Sequence, residues 1–176
     1  MSNKYFHSVT LNRERCMGCT NCIKHCPTEA IRVRNGKANI TAERCIDCGE
    51  CIRVCPYHAK LAVTDPLSDI ENYKYKIALT APTLYGQFKQ MHEAFAVNSA
   101  LVSIGFDEVF EVAKAADIAS HFISQCVENN NIIKPIISSS CLVIVRLVQV
   151  RFPSLINHIV NIWSPMEIAG YIAKQE

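Results

Sequence analysis

The 176 residues, 49% hydrophobic and 19% charged, suffice for a buried core in one or two domains of ordinary globular composition. No apolar signal core opens the chain, and its densest apolar stretch, residues 141–150, is short and broken by Arg146 and Gln149, so no secretory leader or membrane span is expected and the setting is read as a reducing, anaerobic cytoplasm. The net charge of +2 divides into +5 over residues 1–60 and −3 over residues 61–176, and without a basic stripe interleaved with aromatics this asymmetry does not point to nucleic acid.

Residues 6–11 alternate as a first strand. Eight of the ten cysteines follow in two copies of one pattern, C-x2-C-x2-C-x3-C-P: Cys16, Cys19, Cys22, Cys26-Pro27, then Cys45, Cys48, Cys51, Cys55-Pro56. A shift of 29 residues lays Glu14-Arg15-Cys16 on Glu43-Arg44-Cys45, Ile23 on Ile52 and Ala30 on Ala59, so the two copies are one duplicated unit. Three thiolates two residues apart wrap one face of a four-iron cube within a loop. The fourth lies past the start of a short helix, points elsewhere and serves the other cube. On that rule Cys16, Cys19, Cys22 and Cys55 hold one [4Fe-4S] cluster, and Cys45, Cys48, Cys51 and Cys26 hold a second. Zinc on paired C-x2-C units and a disulfide framework are the rival readings; four cysteines per run with a trailing proline match neither. Two oxidised cubes with their thiolates bring a charge of about −4, which the basic residues around them offset.

Short helices are expected at residues 23–26 and 52–55, stopped by Pro27 and Pro56. Residues 31–34 and 37–40 flank Asn35-Gly36, the strongest hairpin signal in the chain. Gly18 and Gly49 are read as allowing close approach of backbone N–H groups to sulfur. Asp47 stands where the first copy has Gly18 and is read as a solvated loop carboxylate or, alternatively, as a charge that lowers the potential of the second cluster relative to the first. His25 and His58 are read as surface residues, since neither set of four cysteines lacks a ligand. The first segment, residues 1–63, resembles an α+β ferredoxin-like two-cluster domain and is expected to fold only with its clusters.

Residues 64–75 read as a linker. Beyond it, strands are predicted at 76–80, 107–112 and 135–138, and helices at 84–104, 113–128, 141–152 and 165–174. This alternation predicts a partial α/β domain over residues 76–176 with a parallel sheet. Neither a dinucleotide glycine fingerprint nor a P-loop is present in the sequence.

Leu79-Thr80-Ala81-Pro82, the run from Ile104-Gly105-Phe106 to Val112, Ala115-Ala116-Asp117, Ser140-Cys141 and Ser164-Pro165 resemble, in order and spacing, the start of an [FeFe]-hydrogenase large-subunit domain. That resemblance implies that Cys141 matches the first ligand of the four-iron part of the H-cluster, and that Ala81 and Pro82 match the loop lining its pocket. Catalytic members have two adjacent cysteines followed by proline where this chain has Ser140-Cys141-Leu142, a pattern more similar to the sensory members. The family's other three H-cluster cysteines come from motifs that would lie beyond Glu176, so the segment is read as truncated. A second chain is a candidate source of the missing half, and an unidentified redox protein a candidate partner. One thiolate cannot hold a four-iron cluster. In this chain taken alone Cys141 is therefore read as a small core residue, Cys126 as a buried structural thiol, no residue as catalytic, and the function as single-electron transfer. The alternatives are a fragment of a hydrogenase-like enzyme or hydrogen sensor, and a colourless structural zinc module.

Overall fold

The computed structural model describes residues 7–88, 94–128 and 133–175. Contacts divide the chain into two units, Met1–Asp65 with Val143–Ile156, and Pro66–Leu142 with Asn157–Glu176. Residues 143–156, which the sequence reading assigns to the second domain, thus cluster with the first.

The first unit is built twice. Strand β1 (Val9–Leu11) leads to helix α1 (Asn21–Lys24) and strand β2 (Ile31–Arg34); strand β3 (Lys37–Ile40), helix α2 (Glu50–Arg53) and strand β4 (Lys60–Ala62) repeat the order. Phe6, expected to open the first strand, lies outside the described residues. Both helices start two residues earlier than expected, because each third cysteine sits in the first turn. They follow Thr20 and Gly49, whose φ angles of 65° and 72° turn the chain out of the ligand loop. β2 and β3 form the expected hairpin, with Asn35 and Gly36 at φ 52° and 70°, the pair of positive angles a type I′ turn requires. β4, which the sequence reading did not anticipate, pairs antiparallel with β1, Leu11 opposite Lys60. The core is small: Val9, Ile31, Ala38 and Ala59 pack with Cys16, Cys22 and Cys51 themselves.

Helix α6 (Leu142–Arg151) contributes residues 143–151 to this unit. Val148 is 5% exposed, Arg146 Nη2 donates to the Glu43 carbonyl at 2.8 Å, and Arg151 Nη1 reaches Glu29 Oε1 at 3.5 Å.

In the second unit β5 (Ile77–Thr80) and β6 (Glu108–Glu111) pair in parallel through a connection holding α3 (Pro82–Tyr85) and α4 (Ala94–Ser103). Residues 89–93 of the expected 84–104 helix lie outside the described residues. The long amphipathic α5 (Val112–Glu128) packs with α7 (Pro165–Ala173) over a core of Phe110, Val112, Ala115, Ala169 and Ala173. β7 (Ile137–Ser138) and β8 (Ile159–Val160) are also parallel. The strand pairs are parallel, as the alternation predicts. Among the described residues, however, they form two separate two-stranded ladders rather than one sheet.

Candidate metal centres

The fold gathers the cysteines into two cavities. One is walled by Cys16, Cys19, Cys22 and Cys55, with Leu11, Val33, Tyr57 and Lys60. The other is walled by Cys45, Cys48, Cys51 and Cys26, with Val9, Ile31, Ile40 and Asp47. Each holds three cysteines of one run and the fourth of the other, the combination expected from the spacing. Exposure follows the repeat in three of the four pairs, with Cys22 and Cys51 buried, Cys26 and Cys55 half-buried, and Cys19 and Cys48 exposed, whereas Cys16 is buried and Cys45 half-buried.

Short local elements aim these sulfurs. The fourth cysteine of each run accepts a backbone hydrogen bond from the residue four places on: Ala30 N–H to Cys26 Sγ at 3.2 Å, and Ala59 N–H to Cys55 Sγ at 3.3 Å. Ala38 N–H approaches Cys16 Sγ at 3.5 Å, and Lys37 Nζ holds the Cys16 carbonyl at 2.7 Å. Such donors stabilise thiolate charge. Burial raises the Cys16 thiol, but the N–H groups of Ala38 and Gly18 and the charges of Lys37 and Lys60 outweigh it and the net shift is downward. Burial acts likewise on Cys55 and is outweighed by the N–H groups of Ala59, Lys60 and Tyr57 together with the Lys60 charge. At Cys22 and Cys45 burial prevails and raises the thiol, and it pushes Cys51 up to about 11.

The donor chemistry fits an iron-sulfur cluster. Each cavity offers four sulfur donors, the all-cysteine set such clusters take. Among the described residues no three His, Cys, Asp or Glu converge as the ligands of one ion would.

Asp47 is no solvated loop carboxylate. Its Oδ2 accepts from Ser8 N–H at 2.9 Å and Ser8 Oγ at 2.7 Å, and its Oδ1 is buried with no partner among the described residues. A Cβ on Gly18 would meet the Gly36 carbonyl oxygen at 2.7 Å, whereas at Gly49, which lines the second cavity, no protein atom among the described residues lies within 4 Å; both glycines have positive φ. His25 and His58 are exposed. Lys60 is the residue sequence reasoning missed, although the shift of 29 that aligns it with Ile31 was available to flag it.

Cys141 is exposed, which corrects its reading as a core residue: it sits at the turn between β7 and α6, where Leu142 is 66% exposed and Ile144 41%. Cys126, read as a buried thiol, is only half-buried on α5. Ala81 caps α3 with Pro82 at the first helical position. Sequence reasoning also did not anticipate a polar chain in the second unit, in which Tyr85 OH meets Thr80 Oγ1 at 2.7 Å and Asn98 Oδ1 at 2.8 Å, and Asn98 Nδ2 donates to Glu111.

Residues 8–56 match a 4Fe-4S dicluster domain, and residues 74–176 match the iron only hydrogenase large subunit, C-terminal domain. The chain is 29% identical over 187 residues to the periplasmic [Fe] hydrogenase large subunit of Nitratidesulfovibrio vulgaris (strain Hildenborough), covering 96% of this chain and 44% of that protein. It is 28% identical over 196 residues to iron hydrogenase 1 of Clostridium pasteurianum, covering 95% of this chain and 34% of that protein. The chain thus spans less than half the length of these curated relatives. No helix among the described residues is long and apolar enough to cross a membrane. With a 4Fe-4S dicluster domain ahead of a segment matched over more than half of its length, the chain belongs to the iron only hydrogenase large subunit, C-terminal domain family.

Proposed function

We propose that the chain carries two [4Fe-4S] clusters and passes single electrons through them, in a reducing cytoplasm, to a redox protein. One cluster takes Cys16, Cys19, Cys22 and Cys55, the other Cys45, Cys48, Cys51 and Cys26. The observation that carries this reading is the crossed wall of each cavity. When bound, such clusters store and release one electron at a time. The chain's own residues set the terms: apolar walls exclude water, and the N–H groups of Ala30, Ala38 and Ala59 support thiolate charge. Asp47 places a carboxylate on the second cavity and holds the cluster there at a lower potential. In Asp47→Asn that cluster's potential should rise in an EPR-monitored redox titration, and an unchanged value would remove this role.

Paired substitutions test the crossed assignment. Cys16→Ala/Cys55→Ala strikes one cluster and should leave about four irons of about eight per chain, whereas Cys16→Ala/Cys26→Ala strikes both and should leave almost none. The reverse result would mean that each run holds its own cluster. A protein holding two zinc ions and no visible absorption would return the site to the zinc reading.

Residues 64–75 act in this reading as the linker to an α/β hydrogenase-like segment, residues 76–176. A second reading rests on exposed Cys141 beside exposed Leu142 and Ile144: the segment is one part of a hydrogenase-like enzyme or sensor, and Cys141 is one of four ligands whose other members another polypeptide supplies. Co-assembly with such a polypeptide would bring the iron count to about twelve, whereas about eight leaves Cys141 without metal.

A further inference from the structure

Lys60 breaks the repeat at a point where burial does not change. Ile31, the first residue of β2, is 2% exposed and lines the cavity of Cys26, Cys45, Cys48 and Cys51. Twenty-nine residues on, Lys60 opens β4, is likewise 2% exposed, and lines the cavity of Cys16, Cys19, Cys22 and Cys55. In β4 the lysine is the buried residue, while the apolar Leu61 and Ala62 are exposed. A strand with one buried face places those residue types the other way round. Lys60 Nζ is enclosed and has no hydrogen-bond partner among the described residues.

A buried cation without a partner is costly unless an opposite charge compensates it. The wall it shares offers one, because four thiolates holding an oxidised cube make a dianion of about −2. We propose that Lys60 is the internal counter-ion of the cluster held by Cys16, Cys19, Cys22 and Cys55, and that it sets this cluster at the higher potential of the two. The proposal rests on the two-cluster reading above and assigns the pair a direction. Positive charge beside a cluster favours its reduced state, and the opposite cavity carries Ile31 and the carboxylate of Asp47 instead. A single electron on the pair therefore settles at the Lys60 side, the other cluster remaining oxidised. The charge of Lys60 acts on the thiols of Cys16, Cys22 and Cys55. It also reaches Cys51 of the other set.

The molecule supplies its own control in Lys60→Ile, the residue its other half already buries at this position. The full chain, loaded with iron anaerobically, is titrated with EPR detection and its iron and acid-labile sulfide are counted. Lys60→Ile should keep about eight irons and lower one potential by about tenfold in the reduction equilibrium, about 59 mV for a one-electron couple. In the Cys26→Ala/Cys45→Ala background, which keeps only the Lys60-side cluster, the same shift should persist. Lys60→Arg should retain the original value. Full iron with unchanged potentials overturns the proposal, as does an equal shift in Lys60→Arg, which would trace the effect to side-chain shape. If Lys60→Ile loads less iron, Ile31→Lys decides: a raised potential at the opposite cluster supports the counter-ion, and an unchanged one overturns it. Fewer than about eight irons in the unsubstituted chain would overturn the two-cluster reading itself.

Discussion

Three pairs of residues 29 apart share left-handed backbone: Gly18 and Asp47 at φ 67° and 57°, Thr20 and Gly49 at 65° and 72°, Glu29 and His58 at 53° and 47°. The duplicated loops thus demand the same conformation at the same places, and glycine relieves it in only one copy at each of the first two. A side chain in this region costs roughly 1–2 kcal/mol. Gly49→Ala should cost about that much in backbone strain, with no protein atom among the described residues within 4 Å of the added Cβ. Gly18→Ala adds a collision with the Gly36 carbonyl at 2.7 Å, a backbone atom of the hairpin turn that cannot withdraw alone. Chelator-driven iron loss should accordingly be faster in Gly18→Ala than in Gly49→Ala, and equal rates would mean that the turn yields freely. The eight thiols were legible in the sequence because ligand spacing is a property of the local chain. The roles of Gly18, Gly49 and Lys60 were not, because they depend on what the hairpin and β4 bring near.

Elements with a local signal were legible in the same way. The Asn35-Gly36 hairpin has the strands the sequence predicts, and α7 begins at Pro165, where a proline at the first helical position belongs. Strands that exist through distant pairing were missed: β4 has three residues and needs β1, and β8 has two and needs β7. Ser164 and Glu167 close a capping box on α7, with Ser164 N–H and Oγ on Glu167 Oε2 at 2.8 and 2.7 Å, and Glu167 N–H on Ser164 Oγ at 3.3 Å. Ser164→Ala should cost about 1 kcal/mol, within the range for lost helix caps of about 0.5–2. The only tryptophan, Trp163, lies edge-on to Tyr171 at 5.7 Å, so its fluorescence during urea unfolding reports on this helix. The side-chain and backbone hydrogen bonds from Ser164 hold the Glu167 carboxyl below the usual range. Its stabilisation is therefore complete above the ordinary glutamate pKa and is lost as pH falls through the lowered folded value. Ser164→Ala should flatten that acid limb of the urea midpoint, and an unchanged limb would assign it to other carboxylates.

At the scale of the molecule, the two units rest on different forces. The second buries an aliphatic and aromatic core around Phe110 and Ala115, whereas the first counts Cys16, Cys22 and Cys51 among its buried residues and has few large apolar side chains beside them. A unit whose core is partly metal ligand gains its folding free energy from the metal. Helix α6 was legible as a helix, but its allegiance was not, because its apolar residues do not form one stripe: Val148 is buried while Leu142 and Ile144 are exposed. What ties it to the first unit is polar and specific. Arg146 reaches the Glu43 carbonyl, two residues before Cys45, and Arg151 shares Glu29 with Arg32 and Arg44, three residues after Cys26. Both anchors lie beside ligand runs, so removal of iron should release the helix. In hydrogen exchange on the full chain before and after anaerobic chelation, β1 to β4 should lose protection together with residues 143–151, while β5, β6, α5 and α7 retain theirs. Protection of α6 that survives with the second unit would show that the helix does not depend on the metal-bound fold. Loss across both units would show that the hydrogenase-like segment, too, draws its stability from the clusters.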